Sequence, residues 1–364
     1  MPRTFYRALV ILTAGLLAAP GAGATGVFPV PSWTTATPAS QGMDAAALQD
    51  AANLAGGSGM VIRGGRVVAS WGNPSSGGDW ASAGKPVLST LLLRAVEQDL
   101  TTLNSTMGQY LTGGTAKDRS IRFLDLANMV SGYSRAEWPS DAFAYNDYAI
   151  NLYGYVLCQE VFGSSPPEVF SDQFGFLGFE DSIQISDWQY GRVKNMSVRD
   201  FARFGLFWLR RGEWDGVQVI PSSSFDLVED EVPPSVPMTQ ADGAESWDFG
   251  TYGGGDDQTG IGPGHYAMNF WTNQSGLWPG FPPEVYQASG YFGSRVCWVL
   301  PDVDVVAVAF DCNTSFGGAA GLQALYDSIV SGSTPAPDGV ETSTWGGTKN
   351  LFRGLNSGFS GDEQ

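Results

Sequence analysis

Histidine occurs once in this 364-residue chain, at His265, and lysine only four times, against 15 arginines. A Ser-His-Asp triad would have a single possible base, and a histidine-built metal site has too few ligands. No Gly-x-Ser-x-Gly elbow is present. The Gly-rich run "GGGDD" (253–257) follows no clear strand and lacks a Lys-Ser/Thr partner, so it gives no phosphate-binding loop. Three cysteines, Cys158, Cys297 and Cys312, allow at most one disulfide and show no metal-type spacing. In a hairpin centred on "PDVD" (301–304), Cys297 faces Val308 rather than Cys312, so no bridge is assigned.

Positive charge is scarce as well: 19 Lys and Arg stand against 37 Asp and Glu, a net charge of −18. That balance argues against nucleic acid and anionic membranes as partners, since both require a basic surface. Long apolar runs are missing except near the start, where Arg3 and Arg7 precede "ALVILTAGLLAA" and the small-x-small form Ala22-Gly23-Ala24. Residues 1–24 read as a cleavable signal peptide, which places the mature chain in the periplasm or outside the cell, with no membrane span after cleavage. Residues 25–333 are expected to form the folded domain and 334–364 a flexible tail rich in Gly, Ser, Thr and Pro.

Within that domain, the Pro/Thr/Ser-rich stretch 25–41 is expected to run extended over the surface. "MDAAALQDAANLA" (43–55) reads as a helix capped by Asp44. "GMVIRGGRVVASWG" (59–72) reads as a hairpin around Gly64-Gly65. A helix is predicted from Pro86, with apolar residues at 87, 88, 91, 92, 93 and 96. Helical spacing recurs in "FLDLANMV", "YAINLYGYVLCQEVF" and "VRDFARFGLFWLRRG", and 231–264 reads as a long loop. Strands return in "VYQASGYF", "SRVCWVLP" and "DVDVVAVAF", followed by the helix "GLQALYDSIV". The class is therefore α/β (α+β): one antiparallel sheet assembled from both chain ends, flanked by helices, with a helical insert over about 100–250.

What chemistry remains centres on "DWASAGKPV", where Ser82 and Lys85 are three residues apart at a helix start. That spacing puts both side chains on one helical face. Lysine, unlike arginine, can lose its proton, and burial at a helix N-terminus is expected to lower the pKa of Lys85. Taken alone the pair is about as expected as a coincidence, a capping serine beside a solvated lysine. Partners elsewhere must decide, and "FAYNDYAINLYGYVL" offers Tyr145-Asn146-Asp147 while "YQASGYFGSR" offers Ala288-Ser289-Gly290 near the end.

In this order, with "IRFLDLANMVSGY" (121–133) and "NMSVRDFARFGLFWLRRGEWDGVQVIP" (195–221), the chain resembles the serine β-lactamase/penicillin-binding-protein-like superfamily. It is most similar to the class C β-lactamase-related branch, with its family VIII esterases and 6-aminohexanoate-dimer hydrolases. The resemblance runs from about residue 42 to 330. It implies Ser82 as nucleophile, Lys85 as proton acceptor and Tyr145 as the group that protonates the leaving group, without a cofactor. Ser289 and Gly290 would line the opposite wall, and the N–H of Tyr291 would complete an oxyanion hole with that of Ser82.

Two departures bear on substrate. Asp147 stands where an amide is usual, either paired with Lys85 or capping a helix. Ala288 stands where a cation is usual, removing the attraction for a substrate carboxylate. A small uncharged ester or amide is the substrate expected on this reading. The alternatives are a D-alanyl-D-alanine carboxypeptidase or β-lactamase, and a non-catalytic binding or sensor protein on the same fold. Trp271, Trp278, Phe281, Tyr286 and Tyr291 would either line an apolar acyl pocket or serve ordinary packing, and His265 is assigned a structural or rim role. Oligomeric state is not legible.

Overall fold

The computed structural model describes residues 26–181, 193–249 and 259–334. The segment 1–24 assigned as a leader and all but the first residue of the tail assigned to 334–364 lie outside the described residues. Helix α1 (Ala45–Ala55) starts where Asp44 accepts the Ala47 N–H at 2.8 Å, the cap expected from sequence. Strands β1 (Ser58–Arg63) and β2 (Arg66–Trp71) form the expected hairpin, its tip made by Gly64 and Gly65 in left-handed conformations. Next come a 3₁₀ turn, Ala81–Gly84, and helix α2 (Lys85–Glu97). The insert supplies α3 (Phe123–Ala127), α4 (Asp147–Tyr155), which runs on into a π-helical segment Val156–Val161, and α5 (Val198–Leu209).

The chain then returns to the sheet with β3 (Tyr266–Ala267), β4 (Phe270–Thr272), β5 (Tyr286–Gly290), β6 (Arg295–Leu300) and β7 (Val305–Phe310), and closes with α6 (Ala319–Asp327). Strand order is β2-β1-β7-β6-β5-β4-β3, antiparallel at every pairing. The early hairpin joins the late strands through β1 on β7, with Ser58 opposite Phe310 and Arg63 opposite Val305. This is the sheet built from both chain ends.

Both faces of that sheet are covered, which is why β6 and β7 read as continuous apolar runs. Val296, Trp298 and Leu300 with Val305, Ala307 and Ala309 belong to a core shared with α1 and α6. Cys297, Val299, Val306 and Val308 point the other way, into the larger core beneath α2, α5 and the insert. Cys297 lies opposite Val308, as the register argument required, and all three cysteines are free and buried. Close approach of α5 to the sheet depends on Gly205, where an added Cβ would sit 2.6 Å from Val306 Cγ1 and 2.7 Å from Cys297 Sγ.

The stretch 25–41 is not simply surface chain. Trp33 is fully buried and donates from Nε1 to Arg199 O at 2.9 Å. Arg203 on α5, itself fully buried, donates to the carbonyls of Pro29, Pro31 and Leu177 and to Glu180 Oε1. A guanidinium with five fixed donors satisfies this cluster of backbone acceptors, and composition alone gave no sign of it.

Candidate active site

The turn before α2 is tightly prescribed. Asp79 Oδ1 accepts the Ala81 N–H at 2.8 Å, and the Trp80 ring stacks on Phe201 at 3.9 Å with the planes 6° apart. Ala81 is held at φ 47°, a conformation that non-glycine residues seldom adopt. Ala81, Ala83 and Gly84 are buried while Ser82 stays partly open. One helical turn on, Lys85 is 3 % exposed and its Nζ donates to Ser82 Oγ at 2.8 Å. The sequence spacing thus becomes a direct contact.

Two insert residues enclose the lysine. Asp147 Oδ1 lies 3.1 Å from Lys85 Nζ, both side chains nearly buried, and the Tyr145 ring centroid lies 4.8 Å from the same nitrogen. Asp147 is the first residue of α4, and the cap is Asn146, whose Oδ1 accepts the Ala149 N–H at 2.9 Å. Of the two roles open to Asp147 in the sequence, the structure shows the ion pair. Burial is the largest single influence on Lys85 and lowers its pKa, but Tyr145 and Asp147 together outweigh it. The net shift is upward, opposite to the expectation from burial and helix dipole, because a charge partner at contact distance favours the ammonium more than desolvation opposes it.

Tyr145 is positioned by a strapped loop. Ala144 N–H donates to Met129 O, while Phe143 exchanges backbone bonds with Pro237 and Thr239. The Tyr145 ring stacks on Trp271, centroids 6.0 Å apart, and meets Tyr266 edge-on at 5.8 Å. Behind them Ser89 Oγ donates to Asn269 Oδ1 at 2.8 Å, and Asn269 Nδ2 donates to Tyr266 OH at 3.3 Å. Ser89, Tyr266 and Asn269 were not singled out in the sequence. The only available signal was the hairpin tip Met268-Asn269, both at positive φ, and it lacks the Asn-Gly or Asp-Gly pair that marks such turns.

The third predicted stretch closes the site from the sheet. Ala288 is buried, Ser289 is partly exposed, and Gly290 ends β5 against the serine turn. A Cβ at Gly290 would lie 2.5 Å from Trp80 O, 2.7 Å from Ala83 N and 3.0 Å from Ser82 N. These are backbone atoms that cannot swing aside. Gly290→Ala is therefore expected to push the serine turn off the strand, lowering Tm and cutting turnover at least about a hundredfold, as for misplacement of a reacting group by about 1 Å. Paired melting and ester-hydrolysis measurements check this.

The aromatic set divides. Trp271 adjoins Tyr145 and Tyr291 follows Gly290, but Trp278 packs on Trp298 and Phe281 on Tyr326, in the core on the opposite sheet face. Tyr286 is buried against Phe270. These three do packing work: Trp278 and Phe281 sit in the connection between β4 and β5 that folds over the far face of the sheet, and Tyr286 is buried in the larger core. His265 is half-buried at the start of β3, beside the sheet edge, and Lys85 is the hydrogen-bond partner of Ser82 Oγ. Among the described residues no group of three His, Cys, Asp or Glu could hold a metal ion, and no helix is long and apolar enough to cross a membrane.

Residues 43–181, which include Ser82, Lys85, Tyr145 and Asp147, match the model of the Beta-lactamase family. The match covers the first part of the domain, and the fold is the one shared by serine β-lactamases and penicillin-binding-protein homologues. Among solved structures it is similar to the esterase EstCE1, described as a hydrolase with promiscuous acyltransferase activity, at TM-score 0.58, 13% identity and coverage of 80% of this chain and 99% of the other. A protein of Bacillus anthracis designated a 6-aminohexanoate-dimer hydrolase superposes at TM-score 0.57 and 16% identity, covering 84% and 88%. A class C β-lactamase of Rhodobacter sphaeroides gives TM-score 0.52 at 16% identity, covering 78% and 97%. No curated protein matches the chain.

Proposed function

We propose that this chain is an exported serine hydrolase that cleaves small, uncharged esters or amides through an acyl-enzyme on Ser82. The observation that carries the reading is the 2.8 Å contact of a partly open Ser82 Oγ with a buried Lys85 Nζ. In the first half-reaction Ser82 Oγ attacks the carbonyl carbon while its proton passes to a neutral Lys85. The carbonyl oxygen becomes an oxyanion facing the N–H groups of Ser82 and Tyr291. As the bond to the leaving group breaks, Tyr145 supplies its proton and is reprotonated from Lys85. Water then attacks the acyl carbon, its proton follows the reverse route, and Ser82 is released.

Preference for neutral substrates follows from what faces the serine turn: Ala288 brings no charge to β5, and Asp147 already occupies Lys85. That hydrolases are among the structural neighbours supports the same reaction class. A fluorophosphonate probe is expected to label Ser82 stoichiometrically, located by peptide mass, and 4-nitrophenyl esters to show a burst where a chromogenic cephalosporin does not turn over. A folded protein that takes up no label would defeat the hydrolase reading.

A further inference from the structure

The residues that follow Gly290 are exposed aromatics in an unfavourable backbone conformation. Tyr291 and Phe292 are consecutive at φ 48° and 58°, in the left-handed region that bulky side chains avoid. They present their rings to solvent, Tyr291 at 63% and Phe292 at 88% exposure. Neither the left-handed turn nor the exposed apolar surface benefits folding, and strained residues of this kind cluster at active sites and ligand clamps. Their place is adjacent to the reacting atoms: Gly290 abuts Ser82 N, and the turn Tyr291–Gly293 packs on the turn Ala81–Gly84.

One of the two rings is braced. Arg295, opposite Gly290 on β6, holds its guanidinium 4.7 Å from the Tyr291 ring centroid and 5.1 Å from that of Phe310. Arg295 is tethered in turn to Asp311 at 3.2 Å. Phe310 meets Trp80 edge-on at 5.2 Å, so a continuous stack runs from the serine turn out to Tyr291. Phe292 extends it, its ring 6.0 Å from that of Tyr291 at 61°. The two rings thus form an apolar ledge beside the serine turn, its inner ring braced by Arg295 and its outer ring open.

We infer that Tyr291 and Phe292 form a subsite for an extended apolar group, alkyl or aryl, carried by a neutral ester substrate. The inference rests on the hydrolase reading above for the reacting bond, while the subsite itself can be tested without turnover. Exposed apolar rings gain by covering hydrocarbon, so affinity should climb with chain length only while both rings are present.

Binding is measured by equilibrium dialysis on Ser82→Ala protein, which cannot form the acyl-enzyme. One ligand series lengthens the acyl chain of 4-nitrophenyl esters from acetate to octanoate, and the other lengthens the alcohol of alkyl acetates. Phe292→Gly, which suits the left-handed backbone, is expected to weaken binding of the longest member of one series about tenfold or more while changing the acetate less than about twofold. Phe292→Leu should restore most of the loss. The series that responds identifies which side of the ester lies on the rings. Equal affinities across both series in wild-type and Phe292→Gly backgrounds would overturn the subsite. Fluorophosphonate labelling of Ser82 in the protein with serine intact reports separately on the hydrolase reading.

Discussion

Lys85→Arg is expected to slow acylation of Ser82 by about 10³-fold, within the 10²–10⁴ that a positioned general base supplies. Arginine keeps the positive charge and can still pair with Asp147, but it cannot give up a proton at any pH where the protein is folded. Charge retention alone therefore cannot rescue the mutant. The guanidinium is larger than the ammonium, and the site is nearly closed, with Lys85 3 % exposed. A second variant guards against a packing failure: Lys85→Met keeps the length and removes the charge. It should be equally inert, and destabilised by about 3–5 kcal/mol because Asp147 is left buried without its cation. Single-turnover labelling and thermal melts on both variants check the prediction. Acylation at the wild-type rate by Lys85→Arg would remove Lys85 from the role of base.

Asp147→Asn should change the pH profile more than the maximal rate. In the native protein the carboxylate 3.1 Å from Nζ favours the ammonium, and the lysine pKa lies above its ordinary value. Acylation by neutral lysine should then keep rising with pH well into the alkaline range. With asparagine, the charge of Asp147 and its hydrogen bond no longer raise the lysine, and burial, the largest influence, acts against Tyr145 alone. The acidic limb of the profile is expected to move down by about one pH unit or more, a differential interaction of about 1.4 kcal/mol per unit. At neutral pH the mutant would acylate faster than the native protein.

Stability should move in the opposite sense. A lysine whose folded pKa exceeds its unfolded value contributes stability that is complete below the unfolded pKa and disappears as pH rises through the folded one. Asp147→Asn forfeits that contribution at neutral pH and loses less on going alkaline. Melting temperature and acylation rate measured over the same pH series test both halves. A rate that falls at every pH with the limb unmoved would make Asp147 the final acceptor of the serine proton instead.

Much of this architecture could be read from local patterns. The β1–β2 hairpin carries Gly64-Gly65 between β-branched runs, Asp44 caps α1, and the last strands are dense in valine; each signal acts within a few residues. Ser82 and Lys85 were legible for the same reason, since one helical turn fixes their separation. What escaped was set by packing over long separations. Trp278 and Phe281 looked like pocket residues because they are aromatic and near β5 in sequence, yet their side chains lie on the other face of the sheet. Arg203 serves carbonyls about 170 residues away, and no spacing rule reaches that far. The direction of the Lys85 shift failed for a related reason, since helix position and burial are local features while the groups that raise it, Tyr145 and Asp147, come from a distant segment of the chain.

The pairing of β1 with β7 also orders events in time. Ser58 meets Phe310 across that ladder, so the central strand of the sheet is among the last portions of the chain to be made. Serine and lysine emerge early in synthesis, and the wall at Gly290 arrives about two hundred residues later. Contacts of such wide separation must close long loops before they return any stability, which slows folding. A nascent chain therefore displays Ser82 and Lys85 before Gly290 exists to pack against their turn, and the arrangement is complete only when the two ends of the chain have met.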